Sequence, residues 1–346
     1  MTIITHVPLK KLTSFAVQAI APSLVNIAKH EDLRLLTPYI DQAFYVLGAG
    51  TNTLFVDQQT PVIIKMALQG VQIERQADGF LLTIAAGECW HDIVTSTVNQ
   101  GMPGLENLAL IPGTVGAAPI QNIGAYGAEF ADFCVAVQWY DFATQTIRWL
   151  DNAACQFGYR NSIFKSILHN RGLILAVKIK LPSQWHANLH YAGLDKLPLD
   201  IDAVSLMHHV IAIRQQKLPD YHQLPNAGSF FKNPIVTMDS LQLLQKRFVN
   251  LPYYPQAAGQ VKLAAGWLIE QAGLKGYRLG EVGIHDKQAL VLVNYGTEQG
   301  QDIIQLVHYV RIKVFELFNI VLEPEVRLVN QLGEFYMGSE LSHDKQ

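Results

Sequence analysis

Pro112-Gly-Thr-Val-Gly-Ala-Ala-Pro-Ile-Gln-Asn-Ile-Gly-Ala-Tyr-Gly127 decides the reading of this chain. It holds four glycines, three alanines and two prolines, and no charged residue. With so little side-chain bulk, the backbone can approach another surface closely, and glycine reaches positive φ without steric cost. Turns of this kind present backbone N–H groups to an anion, usually a phosphate. A second uncharged glycine run, Gly48-Ala49-Gly50-Thr51-Asn52-Thr53, follows the apolar stretch Phe44-Tyr-Val-Leu47 directly. Two such loops point to a dinucleotide held mainly by main chain.

Neither loop fits a common nucleotide fingerprint. Gly48–Thr53 lacks the third glycine of G-x-G-x-x-G. Leu54-Phe-Val-Asp57 after it reads as strand, where a Rossmann site needs a helix N-terminus. No G-x-x-x-x-G-K-[ST] occurs, which excludes a P-loop. A dinucleotide site built from loops between strands remains.

At 346 residues the chain is long enough for two or three domains. Apolar residues make up 49% and charged residues 16%, which excludes disorder and allows a large core. The 26 basic and 29 acidic residues are interspersed and form no basic block. Nucleic acid and anionic membranes are therefore not expected partners. The start lacks the pattern of a signal peptide, and no apolar run is long enough to span a bilayer. Cys89, Cys134 and Cys155 form no C-x-x-C. A reduced, cytoplasmic chain is expected, with a monomer as the default.

Strands are expected at Phe44–Leu47, Pro61–Met66, Phe80–Ala86, Val135–Asp141 and Leu173–Leu181. A helix is expected from His91 to Gln100, stopping at Gly101. Leu218-Pro-Asp220 breaks the pattern and sets a domain boundary. Beyond it, helices are expected at Ala257–Ala272, capped by Gly273, and at Asp302–Phe318, where Ile303, Val307, Val310, Val314 and Leu317 recur at helical spacing. Ala289–Asn294 reads as a buried strand. Leu322-Glu-Pro-Glu-Val-Arg-Leu328 reads as extended, with Glu323, Glu325 and Arg327 on one face.

Three segments could carry chemistry. In Asn226-Ala-Gly-Ser-Phe-Phe-Lys-Asn-Pro234, Ser229 precedes two aromatics that could shield its hydroxyl. It is not G-x-S-x-G, so hydrolase chemistry has little support. In Phe157-Gly-Tyr-Arg-Asn-Ser-Ile-Phe-Lys165, Arg160 stands among aromatics, suited to a carboxylate or phosphate. Glu325 lies beside apolar residues next to Pro324, which removes a ladder donor. Each also has a plain structural reading: a turn, a surface ion pair and a solvated strand face. His186 and His190 have the spacing of two ligands on a helix. Pro182 and Gly193 bracket them and no third ligand accompanies them, so no metal is expected.

Taken together, these segments resemble the UDP-N-acetylenolpyruvoylglucosamine reductase (MurB) family over nearly the whole chain. The resemblance rests on Leu47–Phe55, on Gly101-Met-Pro-Gly-Leu-Glu-Asn-Leu-Ala-Leu-Ile-Pro-Gly-Thr-Val-Gly116 and on Pro119–Gly127. It continues through Phe157–Lys165, Asn226–Pro234, Lys262-Leu-Ala-Ala-Gly-Trp-Leu-Ile269 and Leu322–Arg327. The stretch near Tyr191, with Tyr254, is similar to the longer type of the family, in which a tyrosine loop covers substrate.

The resemblance implies an α+β chain with a PCMH/vanillyl-alcohol-oxidase-type FAD domain of two subdomains, residues 1–66 and 67–219. A C-terminal α+β substrate domain would follow at 220–320, and 321–346 would return to the FAD domain with Glu325. Gly48, Ala49, Gly50, Thr51, Asn52 and Thr53, with Ile111, Pro112, Gly113, Thr114, Val115 and Gly116, would hold the pyrophosphate of FAD. Ile120, Gly124 and Gly127 would lie near the cofactor, and Arg214 and Arg327 would be further contacts. Gly48–Thr53 lacks a tethering histidine, so FAD would be non-covalent. Tyr191, Lys217, Asn233, Tyr254, Lys262 and Gln288 would bind the sugar nucleotide. Gln288 stands where many relatives carry His.

Chemistry agrees with that mapping. Adding hydride β to a carboxylate builds charge on the carboxylate as an enediolate and leaves the α carbon to be protonated. The reaction needs a cation, an acid and a small proton donor; Arg160, Glu325 and Ser229 supply them. NADPH would be the co-substrate and UDP-N-acetylglucosamine enolpyruvate the substrate. A flavin oxidase of the same fold would show oxygen-dependent reoxidation. A non-catalytic nucleotide binder would have no use for those three residues together.

Overall fold

The computed structural model describes Thr2–Gly338. Strand and helix are mixed throughout, and the chain divides into two compact units. One comprises the residues up to Val7, Ala21–Gly50 and Pro61–Gln216; the other comprises Pro8–Ile20, Thr51–Thr60 and the residues from Lys217 onward. The glycine run Gly48–Thr53 carries the chain from the first unit into the second.

Two sheets organise the first unit. In one, Val62–Met66 is an interior strand with parallel neighbours on both sides, Ile20–Ile27 and Phe44–Leu47. The other is an antiparallel five-stranded sheet with Gly172–Pro182 at its centre. Apart from Lys178 and Lys180 that strand is apolar, and most of it is buried. A Cβ on Gly172 would lie 2.1 Å from the carbonyl oxygen of Tyr140, so only glycine lets the strands approach there. One apolar core runs from Val25 to Val210 and includes Trp90 and Val94 of helix Trp90–Asn99.

In the second unit, Arg327–Asn330 lies between Thr53–Phe55, a parallel partner, and Gly333–Phe335. Asn226–Ser229 pairs with Val291–Asn294, and helix Gly300–Phe318 buries Ile303, Val307, Val310 and Val314. Phe15 packs its ring against Phe230 at 6.0 Å.

Two expectations are corrected. The helix over Ala257–Ala272 exists only as Ala265–Gln271. Ala258 and Gly259 take positive φ, and Gln260–Leu263 then forms a strand between Ile235–Thr237 and Tyr253–Pro255. Val261 and Leu263 are buried on it, a period of two that outweighs the helix propensity of the alanines. The second concerns Leu322–Leu328, which is not one strand: only Arg327 onward joins the ladder, while Pro324 makes an isolated bridge to Phe231. Among the described residues no helix is long and apolar enough to cross a membrane.

Candidate active site

In the first unit Gly48 meets the second glycine run. A Cβ on Gly48 would lie 2.6 Å from Thr114 Oγ1, and Gly50 has φ 70°. The second run is fastened to the chain before it: Trp90 N donates to Gly113 O (3.0 Å), Val115 N to Glu88 O (2.9 Å) and Gly116 N to Ala86 O (2.8 Å). Gly113 has φ 133°, and a Cβ on Gly116 would approach the Ala86 Cβ to 2.6 Å. Leu110 N donates to His91 Nδ1 at 3.0 Å, immediately before Ile111 and Pro112. Side chains are thus sterically excluded at Gly48 and Gly116, and Gly50 and Gly113 take a backbone conformation that favours glycine.

Arg214, on helix Ala203–Lys217, tests whether these surfaces suit an anionic dinucleotide. Its Nε is buried without a hydrogen-bond partner. Burial pulls its pKa down, opposed only by the Tyr126 hydroxyl. A guanidinium desolvated in this way costs free energy until an anion joins it. The same cation lowers the pKa of His91, after burial as the main cause. A cation near the imidazole that holds the glycine run is the charge a diphosphate requires, so the residues fit FAD.

Arg160 sits at the tip of a tight turn closed by a bridge between Gly158 and Asn161, with φ 52°. Its guanidinium donates to Gly124 O at 3.2 Å and lies over the Tyr159 ring. Buried Asn122 and Ser162 fix the turn: Asn122 Nδ2 donates to Gly158 O (3.3 Å) and Ser162 Oγ to Ile120 O (2.7 Å). The structure therefore brings Ile120, Gly124 and Arg160 together.

Tyr191 is exposed, its ring 5.2 Å from that of Tyr126. Its segment is latched to Gly104–Gly127. Asn107 donates to Tyr126 O and Asn188 O, and Asn188 donates to Gly127 O at 2.9 Å. Trp185 Nε1 donates to Glu106 Oε1 at 2.5 Å. Burial raises the pKa of Glu106 against the pull of its hydrogen bonds.

In the second unit Ser229 and Glu325 share one backbone frame. Glu325 N donates to Phe230 O at 2.7 Å, and Lys232 N to Glu323 O at 2.9 Å. The Lys232–Glu323 ion pair adds 2.9 Å of side-chain contact. Phe230 and Phe231 are fully buried, and Gly228, with φ 68°, makes the irregularity that turns the chain at Ser229. On the other side, Asn52 Nδ2 donates to Glu325 O (3.3 Å) and accepts Arg327 N on its carbonyl (3.0 Å).

The remaining candidates divide. Tyr254 and Lys262 are register partners on neighbouring strands. Asn233 Oδ1 accepts Ala265 N at 2.9 Å and so caps helix Ala265–Gln271. Gln288 Oε1 would stand 3.3 Å from a Cβ on Gly266. Lys217 is the exposed last residue of its helix. Arg327 directs its fork at Glu334, Nε to Oε1 at 2.9 Å and a second nitrogen to Oε2.

Comparison with known proteins fits this picture. Residues 24–151 match the model of the FAD binding domain, and residues 219–329 that of the UDP-N-acetylenolpyruvoylglucosamine reductase C-terminal domain. The UDP-N-acetylenolpyruvoylglucosamine reductase of Pseudoalteromonas translucida is 48% identical, over 96% of this chain and 98% of its own length. That of Escherichia coli O157:H7 is 46% identical over 85% of this chain and 86% of its own. The chain belongs to the UDP-N-acetylenolpyruvoylglucosamine reductase family. The crystal structure of the family member from Thermus caldophilus superposes with a TM-score of 0.66 at 25% identity, covering 93% of this chain and 97% of that one. The family's fold, an FAD-binding part followed by its own C-terminal domain, is the α+β arrangement expected from the motifs.

Lys65, His91, Glu106, Asn122, Ser162, Trp185 and Arg311 escaped the sequence reading. Lys65 alone had a local signal, a charge inside Val62-Ile-Ile-Lys-Met66.

Proposed function

We propose that the chain reduces the enolpyruvyl group of UDP-N-acetylglucosamine enolpyruvate to UDP-N-acetylmuramate, with NADPH as reductant and non-covalent FAD as carrier. The observation that carries this reading is the backbone frame joining Ser229 to Glu325, a proton donor and an acid fixed by Phe230 O and Asn52. When bound, FAD supplies hydride transfer between NADPH and substrate. Gly48–Thr53 and Ile111–Gly116 would hold its diphosphate, with Arg214 as counter-charge. Arg160 and Glu325 stabilise the enediolate on the substrate carboxylate, and Ser229 protonates the α carbon.

Residues 1–66 and 67–219 would be the flavin subdomains, 220–320 the substrate domain, and the segment from 321 the carrier of Glu325. Tyr191, Lys217, Asn233, Tyr254, Lys262 and Gln288 serve as sugar-nucleotide contacts in this reading. It takes the chain as a cytoplasmic monomer.

Ser229→Ala separates the two half-reactions. Reduction of the flavin by NADPH should stay near the parent rate. Reoxidation by the enolpyruvyl substrate should slow by at least ~10²-fold. Stopped-flow absorbance reads both, and equal slowing of the two would make Ser229 structural.

A further inference from the structure

Lys65 occupies the interior strand of the parallel sheet. Val62, Ile64 and Met66 belong to the apolar core, which leaves Ile63 and Lys65 on the opposite face. Lys65 is half-buried, and a charge there is unusual because interior parallel strands are covered on both sides. Burial lowers its pKa, with no charged neighbour opposing the shift. The register partner of Lys65 is Leu47, the residue before the first glycine run. Its Nζ donates to Gly48 O. Among the described residues this is its one hydrogen bond, and no carboxylate pairs with it. An ammonium has three donors. Two are therefore left over at the carboxyl end of a parallel strand, beside an uncharged glycine turn.

We propose that the Lys65 ammonium is a counter-charge for the diphosphate of the dinucleotide at the Gly48–Gly50 turn. It neutralises the anion and ties the turn through Gly48 O with the same head group. This rests on the reading that the chain binds FAD, and the diphosphate is the part of FAD that riboflavin lacks.

The deflavinated protein is titrated with FAD and with riboflavin, and binding is followed by flavin fluorescence, for the parent, Lys65→Gln and Lys65→Arg. Gln keeps a donor for Gly48 O and removes the charge. Its affinity for FAD should fall at least ~10-fold, the loss of a charge-assisted bond. Its affinity for riboflavin should match the parent's, and Arg should restore FAD binding in part. A half-buried ammonium without a counter-ion costs stability, so flavin-free Lys65→Gln should melt no lower than the parent. FAD affinity unchanged in Gln, or FAD and riboflavin weakened equally, would overturn the proposal, as would a lower melt. A parent that binds no FAD would instead sink the flavin reading on which the proposal rests.

Discussion

His91 shows what a single residue contributes and why sequence alone missed it. Its Nδ1 accepts the Leu110 N–H, so the folded ring is neutral with its proton on Nε2. Burial lowers its pKa from 6.5, the Arg214 cation adds to this, and Asp92 opposes. The stability this neutral ring contributes is full above pH 6.5. It is lost as pH falls toward the lower folded value, because the unfolded chain takes up the proton first. His91→Asn keeps an acceptor for Leu110 N and does not titrate. Below pH 6.5 the parent's melting temperature should fall more steeply than the variant's; superimposable melting profiles would refute this. Gly113, by contrast, was legible. Its φ of 133° is closed to a β-branched side chain. Gly113→Val should purify without flavin, visible as the loss of the flavin's visible absorbance. The difference between the two is range: a glycine declares its own backbone freedom, whereas His91 matters through a partner on another segment.

At the scale of elements, helix Gly300–Phe318 was readable from its 3.6-residue apolar period. Its buried cation was not, because Arg311 makes sense only beside segments that follow the helix. Arg311 Nε donates to Leu322 O at 3.0 Å, and a second nitrogen donates to Gly338 O. Burial lowers its pKa, and Glu323 opposes the shift. The helix thus grips the chain just ahead of Glu325 while Phe230 O and Asn52 hold it behind. Arg311→Met would leave the Leu322 carbonyl buried without its donor, a cost of roughly 1–3 kcal/mol. We expect a lower melting temperature and slower substrate-driven reoxidation, with NADPH-driven reduction unchanged. Arg311→Lys should recover part of the reoxidation rate. If both half-reactions slow together, Arg311 acts on the fold and not on Glu325. The failed Ala257–Ala272 helix teaches the complementary lesson: alanine content favoured helix, but two sheet partners distant in sequence claimed Gln260–Leu263.

For the whole molecule, local patterns offer only contiguous boundaries, whereas the second unit is assembled from three separated stretches. The pairing of Thr53–Phe55 with Arg327–Val329 has no signature in either stretch alone. The consequence can be measured on a fragment. Residues 217–346 contain the whole span matched by the family's C-terminal domain, yet lack Pro8–Ile20 and Thr51–Thr60. The missing stretches include Leu9, Phe15, Val17, Leu54 and Phe55, each fully buried. At about 1.5–3 kcal/mol per buried side chain, their removal rivals the entire stability of a domain, roughly 5–15 kcal/mol. The fragment also exposes the edge of Arg327–Asn330 once covered by Thr53–Phe55, an invitation to aggregate. It also loses the Ser14 carbonyl that accepts Asn226 N and the Phe15 carbonyl that accepts Asn294 Nδ2. The fragment alone should therefore show no cooperative thermal transition by circular dichroism and poor dispersion of its amide resonances. A sharp melt and dispersed amides would mean that the sequence from Lys217 holds its own core, and that the two early stretches only decorate it.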